Sequence, residues 1–242
     1  MSKRRLDSLL VERGLVPTRE KARATIMAGQ VLVAKQPATK AGLMVSEEAP
    51  LEVLARSRYV SRGGEKLEHA LRVFGIDVSG AVCADIGAST GGFSDCLLQH
   101  GAARVYAVDV GYGQLDQRLR QDRRVISMER VNARELTGLP EPLDIITIDV
   151  AFISLQLVLP PAAGLLKPDG RIVALLKPQF QAEREEVGKG GVIRDPLLHA
   201  TLIGRFAAWA LANGFRIGGL TRSPLRGPAG NLEFFFLLRP DR

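Results

Sequence analysis

Apolar positions recur along this chain in two rhythms. Over the first fifty residues Leu6, Leu9 and Leu10, then Ala22 and Ile26, fall at the spacing of a helix face. Gly14-Leu-Val-Pro17 separates the two runs, and Thr18 stands where a helix N-cap belongs, so a pair of short helices is predicted. Val31-Leu-Val-Ala34 and Leu51-Glu-Val-Leu54, with a polar turn at Lys35-Gln-Pro37, predict a small sheet closing this unit. From Ala81 onward short apolar runs alternate with helical stretches. Strands are predicted over 81–86, 104–109, 124–128, 143–149 and 171–176, and helices over 91–100, 113–120, 155–166 and 195–213.

That alternation indicates an α/β fold with a parallel, doubly wound, Rossmann-like sheet. The last two strands, near 215–221 and 232–238, have no helix between them, which predicts an antiparallel, hairpin-like edge and departs from a plain dinucleotide fold. A small α+β domain over 1–57 precedes it. The polar, basic, glycine-ended stretch from Ala55 to Gly64 reads as a connection, its linker proper at 58–64, with the second domain at 65–242. A helix over Glu65–Val73 puts Leu67, Ala70, Leu71 and Phe74 on one side and leaves Lys66 off the apolar stripe, where an ordinary exposed lysine is the plain reading.

Composition narrows the class. The 242 residues are 46% hydrophobic and 24% charged, and no apolar run approaches the roughly 18 residues of a membrane span. Met1-Ser-Lys-Arg-Arg leads into an amphipathic segment and no secretory leader, so a cytoplasmic location is expected. Cys83 and Cys96 read as reduced core residues, and the scattered His69, His100 and His199 predict no metal site. The net charge of +7 is uneven: residues 1–62 hold 12 Lys/Arg against 6 Asp/Glu, and the remainder 21 against 20. This surplus, with Arg4, Arg5, Arg19, Lys21 and Arg23 on the helix pair and Arg62 in the linker, suggests a docking site for a polyanion; a solvated basic face is the alternative.

Candidate chemistry starts at Asp85-Ile-Gly-Ala-Ser-Thr-Gly-Gly-Phe93. Strand, tight turn and helix succeed one another there. Gly87, Gly91 and Gly92, with Ala88, Ser89, Thr90 and Phe93, allow backbone N–H groups and a helix N-terminus to approach a ligand, although the spacing is not G-x-G-x-x-G and a turn that only reverses the chain is the alternative. Asp109 ends the next strand 22 positions after Gly87, placed to accept hydrogen bonds from the ribose hydroxyls of an adenosine-containing cofactor or, alternatively, to cap the following turn. Asn132 follows the third strand and either approaches the adenine or serves a turn. Asp149, Lys177 and Glu233 sit at strand ends, where charged groups facing a crevice must pair or do chemistry. With Lys66 they form two acids and two bases that could meet in one pocket, or separate structural ion pairs.

Two resemblances extend this reading. Arg5-Leu-Asp-x-Leu-Leu-Val, Thr18-Arg-x-x-Ala and Ala28-Gly-x-Val-x-Val resemble the alpha-L RNA-binding domain, whose helices lie against structured RNA. Ser61-Arg-Gly-Gly-Glu-Lys-Leu, the loop at Asp85, Val108-Asp-Val-Gly-Tyr-Gly-Gln-Leu, Asp149-Val-Ala-Phe-Ile-Ser-Leu, Lys177-Pro-Gln-Phe, Gly188-Lys-Gly-Gly-Val-Ile-Arg-Asp-Pro and Gly230-Asn-Leu-Glu-Phe resemble the TlyA (hemolysin A) family over nearly the whole chain. Gln181, where that family usually has Glu, and Tyr59, where it often has Trp, depart from its pattern. The resemblance implies an FtsJ-like, S-adenosylmethionine-dependent 2′-O-methyltransferase of cytidine in ribosomal RNA, with ribosomal subunits as partners and Lys66, Asp149, Lys177 and Glu233 as the catalytic set. Lys177 is then the expected general base, its amine kept available by desolvation and by the Lys66 charge, while Asp149 and Glu233 orient the lysines. A membrane-lytic protein and a non-catalytic RNA-binding assembly factor are the alternatives.

Overall fold

The helical leucine spacing near the N-terminus is realised in a small first unit. In the computed structural model, which describes residues 3–27, 29–53, 58–183, 185–188 and 190–241, β1 (Lys3–Arg5) leads into α1 (Leu6–Glu12) and then α2 (Arg19–Met27). Leu6, Leu10, Ala22, Ile26 and Val31 have no exposed surface and form its core. The strands are β2 (Val31–Val33), β3 (Gln36–Ala38), β4 (Met44–Ser46) and β5 (Leu51–Val53). β2 pairs antiparallel with both β3 and β5, and β1 pairs antiparallel with β4.

The expected turn at Lys35-Gln-Pro37 is displaced. Ala34 and Lys35 take positive φ (48° and 66°) as a two-residue hairpin loop, and Gln36 and Pro37 belong to β3. Pro37 fits an outer strand because such a position can forgo one ladder donor. Leu54 and residues 55–57 of the expected connection lie outside the described residues.

The chain divides into two compact units, 1–57 and 58–242. The second opens with α3 (Gly63–Phe74), followed by β6 (Val82–Ile86), α4 (Gly92–Gln99), β7 (Arg104–Asp109), α5 (Gln117–Gln121), β8 (Val125–Glu129) and β9 (Leu143–Ile148). It continues with α6 (Leu155–Ala163), β10 (Leu166–Leu176), α7 (Pro196–Ala212), β11 (Phe215–Arg222) and β12 (Phe234–Pro240). One seven-stranded sheet runs β11-β12-β10-β9-β6-β7-β8, and β12 is antiparallel to both of its neighbours. The last strand is thus inserted between β10 and β11, which makes β11 the sheet edge. Side chains alternating along the strands feed two cores, one under α3 and α4, the other under α6 and α7.

Residues 58–64, expected as a linker, pack into the second unit. Tyr59 is 3% exposed, the Val60 N–H donates to Asp95 Oδ2 (2.7 Å), and Gly63 and Gly64 already belong to α3. A Cβ on Gly64 would collide with the Tyr59 ring, so this close approach requires glycine. Two helices are shorter than their patterns. α5 begins only after Asp116 accepts the Arg118 N–H as N-cap, and α6 stops at Ala163 because β10 starts at Leu166 and bulges before Arg171.

Candidate active site

β6 delivers Asp85 to the carboxyl edge of the sheet with no exposed surface. Its Oδ2 accepts the Ser94 N–H (2.8 Å) and hydroxyl (2.7 Å), while Oδ1 is buried without a hydrogen-bond partner. Burial, opposed by the Ser94 bonds and reinforced by the charges of Asp149 and Asp109, pushes this carboxyl up to about 7. Beyond it the chain turns through Gly87 at φ +85°, where a Cβ would run into the Asp149 carbonyl, and Gly91 at φ +93°, where one would meet Leu119 and Leu115. Gly92 then starts α4. Gly87 and Ala88 N–H groups donate to the Val108 carbonyl (2.8 and 3.1 Å), which fixes the turn above β7.

Asp109 ends β7 and ties two loops together. It accepts the Ser89 N–H (2.8 Å) and, two residues on, the Gly111 N–H (2.6 Å), so the turn-capping alternative is realised. The same carboxylate lines a small recess with Ser89, Gln114, Ser127 and Glu129, and a carboxylate has lone pairs left for a further donor. Asn132 instead accepts the Arg134 N–H (3.1 Å) as the cap of a short 3-10 turn, donates to Glu135 (2.8 Å), and lines neither this recess nor the main cleft. Its turn reading is the one the geometry supports.

The main cleft, about 310 Å³, opens around the Gly87–Gly92 loop and is walled by Arg62, Lys66, Asp85, Asp149 and Lys177. Four of the expected residues meet here as two ion pairs. Lys66 Nζ donates to Glu233 Oε2 at 2.5 Å, with the side chains 8% and 1% exposed. Lys177 Nζ stands 2.6 Å from Asp149 Oδ1, within ion-pair range but outside hydrogen-bond geometry. The second Glu233 oxygen is buried without a hydrogen-bond partner against Gly227, where a Cβ would come within 2.5 Å of it. α3 brings Lys66 from before the sheet, β9 and β10 end at Asp149 and Lys177, and Glu233 precedes β12.

Phe152, not among the expected residues, follows the cleft-lining Ala151 in the loop after β9. It holds φ +61°, is 91% exposed, and packs its ring against Phe180 at 5.0 Å between centroids. The one sequence signal for it is an aromatic residue in the short apolar stretch Val150-Ala-Phe-Ile153 between Asp149 and the α6 N-cap.

The expected RNA-contacting side chains divide into two groups. Arg4 pairs with Glu12 and Glu47, and Arg5 and Arg19 clamp the fully buried Asp7 at 2.9 and 3.2 Å. Hydrogen bonds from Arg5 lead the effects that lower the Asp7 carboxyl to about 2, against its own burial. Lys21 and Arg23 on α2 are exposed and, among the described residues, make no ion pair. Arg62 is exposed at the cleft wall of the second unit.

The family profile of FtsJ-like methyltransferases matches residues 59–239, and that of the S4 domain matches residues 4–50. Sheet order, glycine turn and these matches define an FtsJ-like methyltransferase preceded by an S4 domain. YqxC of Bacillus subtilis is 51% identical over 98% of this chain and 85% of its own. The 16S/23S rRNA (cytidine-2′-O)-methyltransferase TlyA of Mycobacterium tuberculosis is 46% identical over 97% of this chain and 89% of its own. A solved structure from Streptococcus thermophilus bearing the hemolysin name matches 99% of this chain and 89% of its own, with a TM-score of 0.77 at 44% identity. The chain belongs to the TlyA (hemolysin A) family.

Proposed function

We propose that this protein transfers a methyl group from S-adenosylmethionine to the ribose 2′-hydroxyl of cytidine in ribosomal RNA. The observation that carries the proposal is the convergence of Lys66–Glu233 and Lys177–Asp149 on one cleft beside the glycine turn.

The residues present fit the cofactor. Gly87 at positive φ lets the turn pass close against the Asp149–Val150 backbone at the cleft wall, and Asp85 brings to the cleft a buried oxygen without a hydrogen-bond partner, placed to accept from a donor group. In this reading Asp85, Gly87 to Phe93 and Asp109 hold the group, Asp109 at the adenosine end, while Asn132 caps its own turn and lines neither the cleft nor the recess. When bound, S-adenosylmethionine supplies a methyl group already activated by its sulfonium.

The task left to the protein is activation of a weakly nucleophilic hydroxyl. Lys177 must first give up the proton it holds in the ion pair with Asp149; as the neutral amine it then takes the 2′-hydroxyl proton as the oxygen bonds to the methyl carbon, and returns to the ammonium that faces Asp149. Lys66, fixed by Glu233, contributes positive charge beside the oxygen as negative charge develops there. The exposed Phe152 ring, next in the chain to the cleft-lining Ala151, offers a stacking face for a nucleotide base. Residues 58–242 thus carry the chemistry and residues 1–57 most of the RNA contacts, with Lys21 and Arg23, and Arg62 at the cleft wall, exposed to meet phosphates and Arg4, Arg5 and Arg19 also serving ion pairs. A ribosomal substrate puts the reaction in the cytoplasm.

The decisive experiment is tritiated-methyl transfer to isolated ribosomal subunits, with mass-spectrometric mapping of 2′-O-methylcytidine. Transfer that survives in Lys177→Ala, with cofactor affinity unchanged, would sink the base assignment. The hemolysin name of the Streptococcus thermophilus relative favours a second reading as a membrane-lytic protein. No helix among the described residues is long and apolar enough to cross a membrane. Dye release from liposomes by purified protein separates the two readings.

A further inference from the structure

We infer that Ser154 and Gln181 are positioning residues for the acceptor nucleoside: their hydrogen bond keeps the two loops that carry Asp149 and Lys177 in register. The inference rests on the methyltransferase reading above. β9 and β10 are parallel neighbours, so the loops that follow them leave the same sheet edge side by side. Three cross-links join these loops. The Asp149–Lys177 pair is innermost at 2.6 Å, the Phe152 and Phe180 rings follow at 5.0 Å, and the Ser154 hydroxyl donates to Gln181 Oε1 at 2.8 Å outermost.

Local geometry fixes the direction of that outer bond. Ser154 is the N-cap of α6 and its Oγ accepts the Gln156 N–H at 3.3 Å, which leaves its single proton for Gln181. Gln181 is anchored in turn, because its own N–H donates to the Pro178 carbonyl at 3.0 Å and closes the short turn that starts beside Lys177. Neither side chain lines the cleft, so each acts through its neighbours.

Phe152 shows why the outer bond is needed. A non-glycine residue keeps a positive φ only where its surroundings over-determine it, and its own burial cannot do this for a residue 91% exposed. The restraints are Val150 and Ile153, which pack against the core on either side, the Phe180 ring and the Ser154–Gln181 bond. Without the last, the Phe152 turn is loosened and, through the shared loops, so is the Asp149–Lys177 pair; misplacement of this kind costs rate more than cofactor affinity.

The test compares Gln181→Leu and Ser154→Ala, which delete the bond, with Gln181→Glu and Ser154→Thr, which keep an acceptor and a donor. Methyl transfer, cofactor affinity by calorimetry and hydrogen exchange over 149–154 and 177–181 are measured on the full chain. The deleting variants are expected to lose roughly tenfold in kcat, to exchange faster in both loops and to bind S-adenosylmethionine within about twofold of wild type. The conservative variants should stay near wild type, and the Ser154→Ala/Gln181→Leu double variant should be no worse than Ser154→Ala, which also removes the α6 cap. Wild-type kcat in Gln181→Leu, equal loss in Gln181→Glu, or cofactor affinity falling in step with kcat would each overturn the inference. Absence of methyl transfer by the wild-type protein removes the parent reading and this one with it, whereas an unaffected Gln181→Leu in an active enzyme removes this one alone.

Discussion

Asp7 and Asp85 are both without exposed surface, and their surroundings push their titrations in opposite directions. The Arg5 and Arg19 guanidinium groups lower Asp7 from 3.8 to about 2, so it contributes stability above pH 4 that is lost as pH falls through that window. Asp85 is raised from 3.8 to about 7, so the folded state holds a proton there that the unfolded state releases, and stability declines as pH rises from 4 to 7. Urea midpoints measured from pH 2 to 8 should therefore lose the acid-side rise in Asp7→Asn and flatten between pH 4 and 7 in Asp85→Asn.

The Lys66–Glu233 pair gives a second residue-scale prediction. Glu233→Gln leaves a lysine ammonium, 8% exposed, without its counter-charge, at a cost of about 3–5 kcal/mol in chemical denaturation. Replacing both partners by Met should restore most of that stability without restoring methyl transfer, which separates the structural part of the pair from its chemistry. For Phe152, truncation to Ala removes one stacking face worth about 1–3 kcal/mol, read as weaker RNA binding with unchanged cofactor affinity.

At the scale of elements, the strand–turn–helix from β6 to α4 is the part most fully readable from sequence. Its apolar run, its acid and its glycines each do locally what their chemistry dictates. Gly87→Ala tests this: strain at φ +85°, a few kcal/mol at most, adds to a clash with the Asp149 carbonyl, so calorimetry should show cofactor binding abolished. Elements whose ends depend on partners were less legible. β10 starts five residues before its predicted strand because pairing with Leu143 recruits Leu166, and α5 starts late because the preceding loop wraps Thr90. Asn132 and the 58–64 stretch illustrate the same limit, since a turn residue and a basic polar segment look alike in sequence whether they face a ligand, cap a turn or bury a tyrosine.

For the whole molecule, the basic surplus of the first 62 residues is only partly available to RNA, because among the described residues acids engage four of its arginines, Arg4, Arg5, Arg19 and Arg58. Replacing Lys21 and Arg23 by Ala should weaken binding to ribosomal RNA with folding intact. The slope of log affinity against log salt should fall by about 0.9 for each phosphate that is no longer neutralised. Arg5→Ala should also lower stability, since it strips the buried Asp7 of its leading partner.

The order of local patterns by itself determined the alternating architecture, the basic first unit, the glycine turn and the acidic and basic strand ends, because periodicity, glycine freedom and charge are properties of short segments. Tertiary structure decided how the four charged residues pair, that β12 enters the sheet between β10 and β11, and that Phe152 stands exposed against the Phe180 ring. Each of these depends on residues from distant segments meeting at one sheet edge. Lys66 and Glu233 are 167 positions apart, and only strand order and register set the distance between them.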